Sequence, residues 1–291
     1  MDVVCIGDVM LDVHASSGAL ARGGDVHGRV EVRVGGTSAN AAVWAAWAGA
    51  TTAVIAAVGD DLVARLATAA LEERGVDVSM VRVHDAPTGV MLVMTEADER
   101  SMVADRGANA LLAAADLPAT IEAGAVLLSG YLLLQEPGHE VAVEALARAR
   151  SDLVAVEAAS WPLVERFGAE RFLRDTGRAT AILANEGEAE VLTGRSGSDA
   201  ARSLGERYRV AAVKRGPRGA AMSFDGRLVE AGVEPVRTED PTGSGDAFDG
   251  ALLASLARAE APEAALAAAC RAGTTVATGP DMWPHVEART R

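Results

Sequence analysis

Short apolar runs of strand length, at 3–6, 53–58, 126–128, 153–156, 181–183 and 210–213, alternate along the chain with longer segments rich in Ala, Leu, Glu and Arg. A run that is apolar at every position, rather than at every second one, needs cover on both faces. Successive strands obtain that cover in a parallel sheet with helices on each side. The intervening segments carry apolar residues at three- and four-residue spacing and predict helices at 38–48, 62–74, 141–149, 200–207, 247–259 and 262–277. The expected fold class is therefore α/β, a doubly wound and mostly parallel sheet with helices on both faces. No internal repeat or low-complexity linker interrupts the 291 residues, so one domain over 1–291 is expected. Aromatic residues make up only 3% of the chain, which leaves Ala, Val and Leu to fill the core, with Trp44 and Trp47 on its first helix.

Two segments depart from this rhythm. Residues 13–34 and 89–104 alternate polar with apolar residues around the polar tips GALARGGD and EADER, the pattern of extended hairpins. They form either one small β-sheet projecting from the main body or two unrelated surface hairpins.

Charge and cysteine content remove whole classes of function. With 27 basic and 41 acidic residues the formal charge is −14, which repels nucleic-acid phosphates and anionic lipid, so neither a nucleic acid nor a membrane is an expected partner. Cys5 and Cys270 are too few and too far apart for a disulfide framework or a zinc cluster, and the five histidines show no metal-binding spacing. The uncharged stretch 35–59 carries Thr37, Ser38, Asn40, Thr51 and Thr52 and is interrupted at Gly49, so it reads as helix, turn and strand rather than as a membrane span. No basic region precedes the first apolar run. A cytoplasmic protein is expected.

The common phosphate, hydrolase and dinucleotide signatures are absent. Three other constellations are present. The most specific is DPTGSGDAFDG at 240–250, leading directly into an apolar helix. Gly243, Ser244 and Gly245 at a helix start leave bare amides backed by the positive end of the macrodipole, an anion hole in outline. Asp246 lies beside them, placed either to accept a proton or simply to stabilise the helix start. The second is Gly35 and Gly36 followed by Asn40 at the start of a helix, with Gly7 to Asp12 at the end of the first strand. Asp12 and Asn40 there offer an acceptor and a two-way amide to a polyhydroxylated ligand, although Asn40 is equally an ordinary helix residue. The third is Asn185 and Glu188 at a helix start. They suit the water shell of a Mg2+ ion, or a plain N-cap. Beyond them Lys214, Gly216 and Gly219 end a strand in a glycine turn, beside a nucleotide or merely in a hairpin.

Taken in order, the early GGTSAN, the middle NEGE and the late DPTGSGDAFDGALL resemble the ribokinase/PfkB family of carbohydrate kinases, and the resemblance runs from Gly7 to Gly279. It implies a ribokinase-like α/β domain with a β lid, the lid corresponding to the two odd segments. It further implies transfer of the γ-phosphoryl of ATP to a primary hydroxyl of a sugar or sugar-like acceptor. Asp246 matches the catalytic base, and Gly243 to Gly245 the anion hole. Asp12, Gly35, Gly36 and Asn40 match acceptor-binding positions. Asn185 and Glu188 match the Mg2+ region, with the ion held through water. Lys214, Gly216, Gly219 and Thr242 border the nucleotide. A nucleoside kinase on the same fold and a catalytically idle sugar-binding sensor are the alternatives.

Departures from the family pattern bear on specificity. Ser129-Gly130-Tyr131 stands where an acidic sugar ligand is common, which counts against ribose. Asp105 and Arg106 match the segment returning from the lid; Arg106 clamps an acidic acceptor or, as the favoured expectation, pairs with Asp105 at the surface. A monovalent-cation site beside Asp240 and Thr242 stays open. An apolar lid face would favour a homodimer through the lids.

Overall fold

The computed structural model describes residues 1–18, 23–96, 99–238, 241–279 and 281–284. A ten-stranded sheet forms its centre, built from β1 (Val3–Ile6), β4 (Thr52–Gly59), β5 (Val76–Asp77), β6 (Val81–His84), β10 (Ala125–Ser129), β12 (Val154–Glu157), β13 (Ala181–Asn185), β14 (Val210–Lys214), β15 (Ala220–Phe224) and β16 (Arg227–Ala231). The strand order is β16-β15-β14-β13-β12-β10-β1-β4-β5, with β6 pairing beside β4. Every ladder from β14 to β5 is parallel. The runs at 3–6, 53–58, 126–128, 153–156, 181–183 and 210–213 are the central strands, as their unbroken apolarity predicts.

Along β1 the side chains alternate between two cores. Val3 and Cys5 join a cluster beneath α1 (Thr37–Trp47), α2 (Leu62–Glu73), α9 (Ser244–Ala257) and α10 (Pro262–Thr278). Val4 and Ile6 join the opposite one. That second layer packs under α3 (Gly130–Leu133), α4 (Gly138–Arg148), α5 (Trp161–Phe167), α6 (Ala169–Asp175), α7 (Glu186–Thr193) and α8 (Gly197–Gly205). Double winding is thus written in the period-two alternation of β1 itself. Trp44 is buried, but Trp47 is 55% exposed, so only the first belongs to the core; Trp47 meets the Trp44 ring edge-on at a centroid distance of 5.1 Å.

The hairpin β15–β16 was not among the predicted strands. Its antiparallel pairing closes through Asp225 and Gly226, both at positive φ between the paired residues Phe224 and Arg227. Asp-Gly is a common two-residue hairpin turn, so the signal stood in the sequence.

The two odd segments form one separate sheet. Its strands are β2 (Met10–Ser17), β3 (Arg29–Gly35), β7 (Gly89–Glu96) and β8 (Glu99–Asp105), in the order β3-β2-β7-β8. The first pair is antiparallel, β2 and β7 are parallel, and β7 and β8 are antiparallel. Because β2 begins at Met10, three residues before the expected boundary, Asp12 belongs to this small sheet and not to the end of the first central strand. In register, Val13 pairs with Val32 and Leu92, and Leu92 with Val103, which gives one face an apolar stripe. Val30, Val32 and Val103 on that face are 65%, 55% and 63% exposed. One short parallel ladder completes the strands, β9 (Ile121–Glu122) with β11 (Ala149–Arg150). No helix of the described residues is long and apolar enough to cross a membrane.

The site depends on how closely α1 and α9 approach. Gly250 on α9 sits against the backbone of α1, where an added Cβ would run into the Ala41 carbonyl. Gly250→Ala is therefore expected to push the helices apart and cost about 1–3 kcal/mol of stability, as overpacking does. Urea unfolding measures the loss. A midpoint equal to that of the unaltered protein would show that the contact can yield.

Candidate active site

Helix α9 starts at a tight turn. Gly243 adopts a left-handed conformation at the N-cap, and the Ser244 N–H donates to the Pro241 carbonyl at 3.1 Å. The Ala247 N–H donates to the Gly243 carbonyl at 2.9 Å. Helix geometry thus leaves the Gly245 and Asp246 amides to face an anion, with Ser244 spent on the turn. The Lys214 ammonium lies at the same place, since a Cβ on Gly245 would stand 3.4 Å from Lys214 Nζ.

Two cavities meet here. The larger, of about 550 Å³, lies between the small sheet and the main body; Asp12, Asn40, Arg106, Glu188 and Asp246 are on its wall. The smaller runs outward between the Gly216–Gly219 turn and α10, and Cys270 lines it. Lys214, Gly216, Ser244 and Gly245 line both cavities, so the start of α9 is their common boundary.

Asp246 stands on the larger side of this boundary. Its Oδ2 accepts a hydrogen bond from Asn40 Nδ2 at 2.7 Å. Withdrawal from bulk water raises its pKa; the Asn40 amide and Lys214 pull it back, Asp249 and Asp8 push it further, and the net position is pushed up to about 7. A carboxylate poised there can take a proton near neutrality and release it again.

Around Lys214 the protein has collected buried carboxylates. Lys214 Nζ donates to Asp249 Oδ2 at 2.8 Å. Glu157, at the end of β12, and Glu188 share its field. Burial alone lowers the lysine pKa, but the three carboxylates more than reverse this and hold it above its ordinary value. Burial raises the pKa of Glu157, Glu188 and Asp249 in turn, with the lysine opposing the rise in each. One oxygen of Glu157 and one of Asp249 are buried without a hydrogen-bond partner.

The remaining expected residues divide between the cavities and their supports. Asp12 and Gly36 line the larger cavity. Gly35 does not, and instead makes room for Asp12, whose carboxylate occupies the space a Cβ on Gly35 would need. Gly36, at positive φ, starts α1 against the Asp8 backbone. Thr242, Gly216 and Asn185 face the larger cavity, and Gly219 only the smaller. Asp240, named with Thr242 for a monovalent-cation site, lies outside the described residues.

Arg106 and Asp105 do not pair. Arg106 Nη1 donates to the Tyr131 carbonyl at 3.0 Å and the side chain faces the cavity, whereas Asp105 is exposed and its Oδ1 accepts from the Gly107 N–H. The reason is local: Asp105 closes the turn that follows β8, which points the two side chains apart.

Asn185 and Glu188 form a complete capping box at the start of α7. Asn185 Oδ1 accepts from the Glu188 N–H at 3.0 Å, and Glu188 Oε2 accepts from the Asn185 N–H at 2.8 Å. Both also face the larger cavity. Among the described residues no cluster of His, Cys, Asp or Glu is arranged to hold a metal directly. Two oxygen-bearing side chains on one cavity wall fit a hard cation that keeps its water shell.

Several residues at the site went unmarked in the sequence. Glu157 falls one position past a predicted strand, at the carboxyl end where open α/β sheets place ligands. Asp249 follows Asp246 by three residues and so shares its helix face. Asp8 accepts from the Thr37 N–H at 3.3 Å and from Ser129 Oγ at 3.2 Å. Trp283 donates from Nε1 to Asn40 Oδ1 at 2.7 Å, and no local pattern announces it.

Comparison with known proteins agrees with this architecture. The family model described as pfkB family carbohydrate kinase matches residues 1–282. The chain is 31% identical to a fructokinase of Klebsiella pneumoniae over 287 residues, covering 88% of this chain and 90% of that one. It is 28% identical to a ribokinase of Mus musculus over 270 residues, covering 88% and 81%. The crystal structure of adenosine kinase from Sinorhizobium meliloti superposes with a TM-score of 0.85 at 23% identity, covering 98% and 96% of the two chains.

Proposed function

The chain belongs to the pfkB family of carbohydrate kinases, and from that premise we propose that it transfers the γ-phosphoryl group of ATP to a primary hydroxyl of a sugar or sugar-like acceptor, with Asp246 as general base. The observation that carries the reading is the position of Asp246, on the boundary of two cavities and beside the open amides of α9. The acceptor occupies the larger cavity, where Asp12 binds its hydroxyls, and the nucleotide occupies the smaller one. Asp246 takes the hydroxyl proton as the new O–P bond forms and the bond to the ADP leaving group breaks. The Gly245 and Asp246 amides, with Lys214 beside them, stabilise charge on the phosphoryl oxygens. Catalysis of this kind is positioning and electrostatics.

Asn185 and Glu188 would hold a Mg2+ ion through its water shell, their side chains fixed by the capping box, and the ion would neutralise charge on the phosphate oxygens of ATP.

A nucleoside acceptor is the second reading, and one observation favours it. Apart from Asp12, the small-sheet wall of the cavity is apolar, with Met10, Met91, Val93 and Met102, and Tyr131 also lines the cavity. Such a wall suits a base better than a sugar hydroxyl. Arg106 adds a cation that would suit an acidic acceptor. One screen of sugars, sugar acids and nucleosides for ATP consumption separates these classes. We further propose a homodimer through the exposed apolar face of the small sheet.

Asp246→Asn keeps a residue suited to a helix start but removes the proton acceptor, so phosphoryl transfer is expected to fall roughly 100- to 10,000-fold while ATP binding and the melting temperature hold. Turnover near the wild-type rate would refute the base assignment. Glu188→Gln removes the charge and keeps an acceptor for the Asn185 N–H while giving up the second hydrogen bond, from Asn185 Nδ2, so it is expected to raise the Mg2+ concentration needed for half-maximal rate; an unchanged requirement would leave the pair as a helix cap. Val32→Lys is expected to shift a dimer to monomer in sedimentation velocity, and a monomeric wild type would exclude the interface.

A further inference from the structure

We propose that Trp283 is a positioning residue for the base: its indole N–H fixes the Asn40 amide with the nitrogen toward Asp246, and so holds Asp246 in its proton-accepting form. The proposal rests on the reading of Asp246 as general base.

A side-chain amide has a donor end and an acceptor end, and rotation by half a turn exchanges them. At Asn40 the two ends are committed in opposite directions. Nδ2 donates to Asp246 Oδ2 and Oδ1 accepts from Trp283 Nε1, each at 2.7 Å. An indole N–H can only donate. Turning the amide over would set an N–H against an N–H at one end and a carbonyl oxygen against a carboxylate at the other. Trp283 therefore selects one orientation of Asn40, and that orientation presents a donor to the carboxylate.

Trp283 is itself held from two sides. The Arg74 guanidinium lies 4.7 Å from its ring centroid, at the end of α2. The carbonyl of the preceding Met282 accepts from Trp44 Nε1 at 2.9 Å, which ties the segment to α1. Trp283 and Asn40 are both buried, so water does not compete readily for either bond. Asp246 also feels Asp249 from its own helix, Lys214 from β14, Asp8 from the β1–β2 connection, Glu157 from β12 and Tyr131 from α3. None of these influences depends on which way the Asn40 amide points. The amide is the part of the surroundings of Asp246 that an indole can set.

Trp283→Phe keeps the ring and deletes the donor. Without the indole N–H the Asn40 amide is free to turn its oxygen toward a protonated Asp246, so the ionised carboxylate loses the assured Nδ2 donor and its pKa moves up; a hydrogen bond to a charged group corresponds to about one pH unit or more. The acid limb of kcat/KM against pH is thus expected to rise by about one unit. Turnover at pH 7 should drop by about fivefold and recover at pH 9. A merely structural role would lower the rate equally at all pH values; that result, or an unmoved limb at full rate, overturns the proposal.

A second measurement does not require the variant to fold. In 15N-labelled wild-type protein without substrate, the Trp283 indole resonance is expected to titrate with the midpoint of the kinetic limb, and to stop titrating in Asp246→Asn. A resonance that stays flat in the wild type also overturns the proposal. If Asp246→Asn instead turns over normally, the base assignment has failed, while the resonance still reports whether Trp283 and Asp246 communicate.

Discussion

One ammonium group sustains the centre of this protein. Lys214 is the cation among Asp249, Glu157 and Glu188, all buried, with Asp246 close behind. Withdrawing a carboxylate from water costs several kcal/mol, and a single opposite charge offsets that only where the geometry is close. The 2.8 Å contact with Asp249 supplies such geometry for one partner, while Glu157 is compensated by field and Glu188 by field together with two hydrogen bonds from Asn185. The residual strain is electrostatic and has a direction. Positive charge entering the cavity is welcomed by the spare oxygen of Glu157 on its wall, and a proton reaching Asp246 meets a carboxylate already reluctant to stay ionised.

The same arrangement explains how the proposed base and the proposed anion site can be neighbours. An acid beside an oxyanion hole would ordinarily repel the charge that the hole is meant to hold. Lys214 stands by Gly245 and screens one from the other. The pairing of Lys214 with Asp249 on the next turn of α9 fixes the ammonium there, so the helix that carries Asp246 also anchors its counter-charge.

Much of this was legible from the sequence, for local reasons. The unbroken apolar runs at 53–58 and 181–183 read as buried parallel strands because burial on both faces leaves no other pattern, and the small residues at 243–245 read as a helix start because they expose amides. What escaped was non-local. Asp12 was assigned to the end of the first strand, yet Val9 and Met10 carry the chain across into a different sheet, a change no single-strand pattern encodes. Arg106 was expected to meet its neighbour Asp105, but the turn at Gly107 claims that carboxylate. Trp283 reaches Asn40 across 243 positions of sequence, and only the folded chain brings them together.

The crossing between the two sheets is secured by one side chain. Asn109 accepts from the Val9 N–H at 3.1 Å and donates to the Val9 carbonyl at 3.0 Å, pinning the strand that leaves the body to the segment that returns to it. The small sheet is thereby mounted like a cantilever, clamped at its root. In such a beam displacement grows with distance from the clamp, and Asp12 lies three residues from the pinned Val9, so its carboxylate sits where the sheet is least free to shift against Asp246.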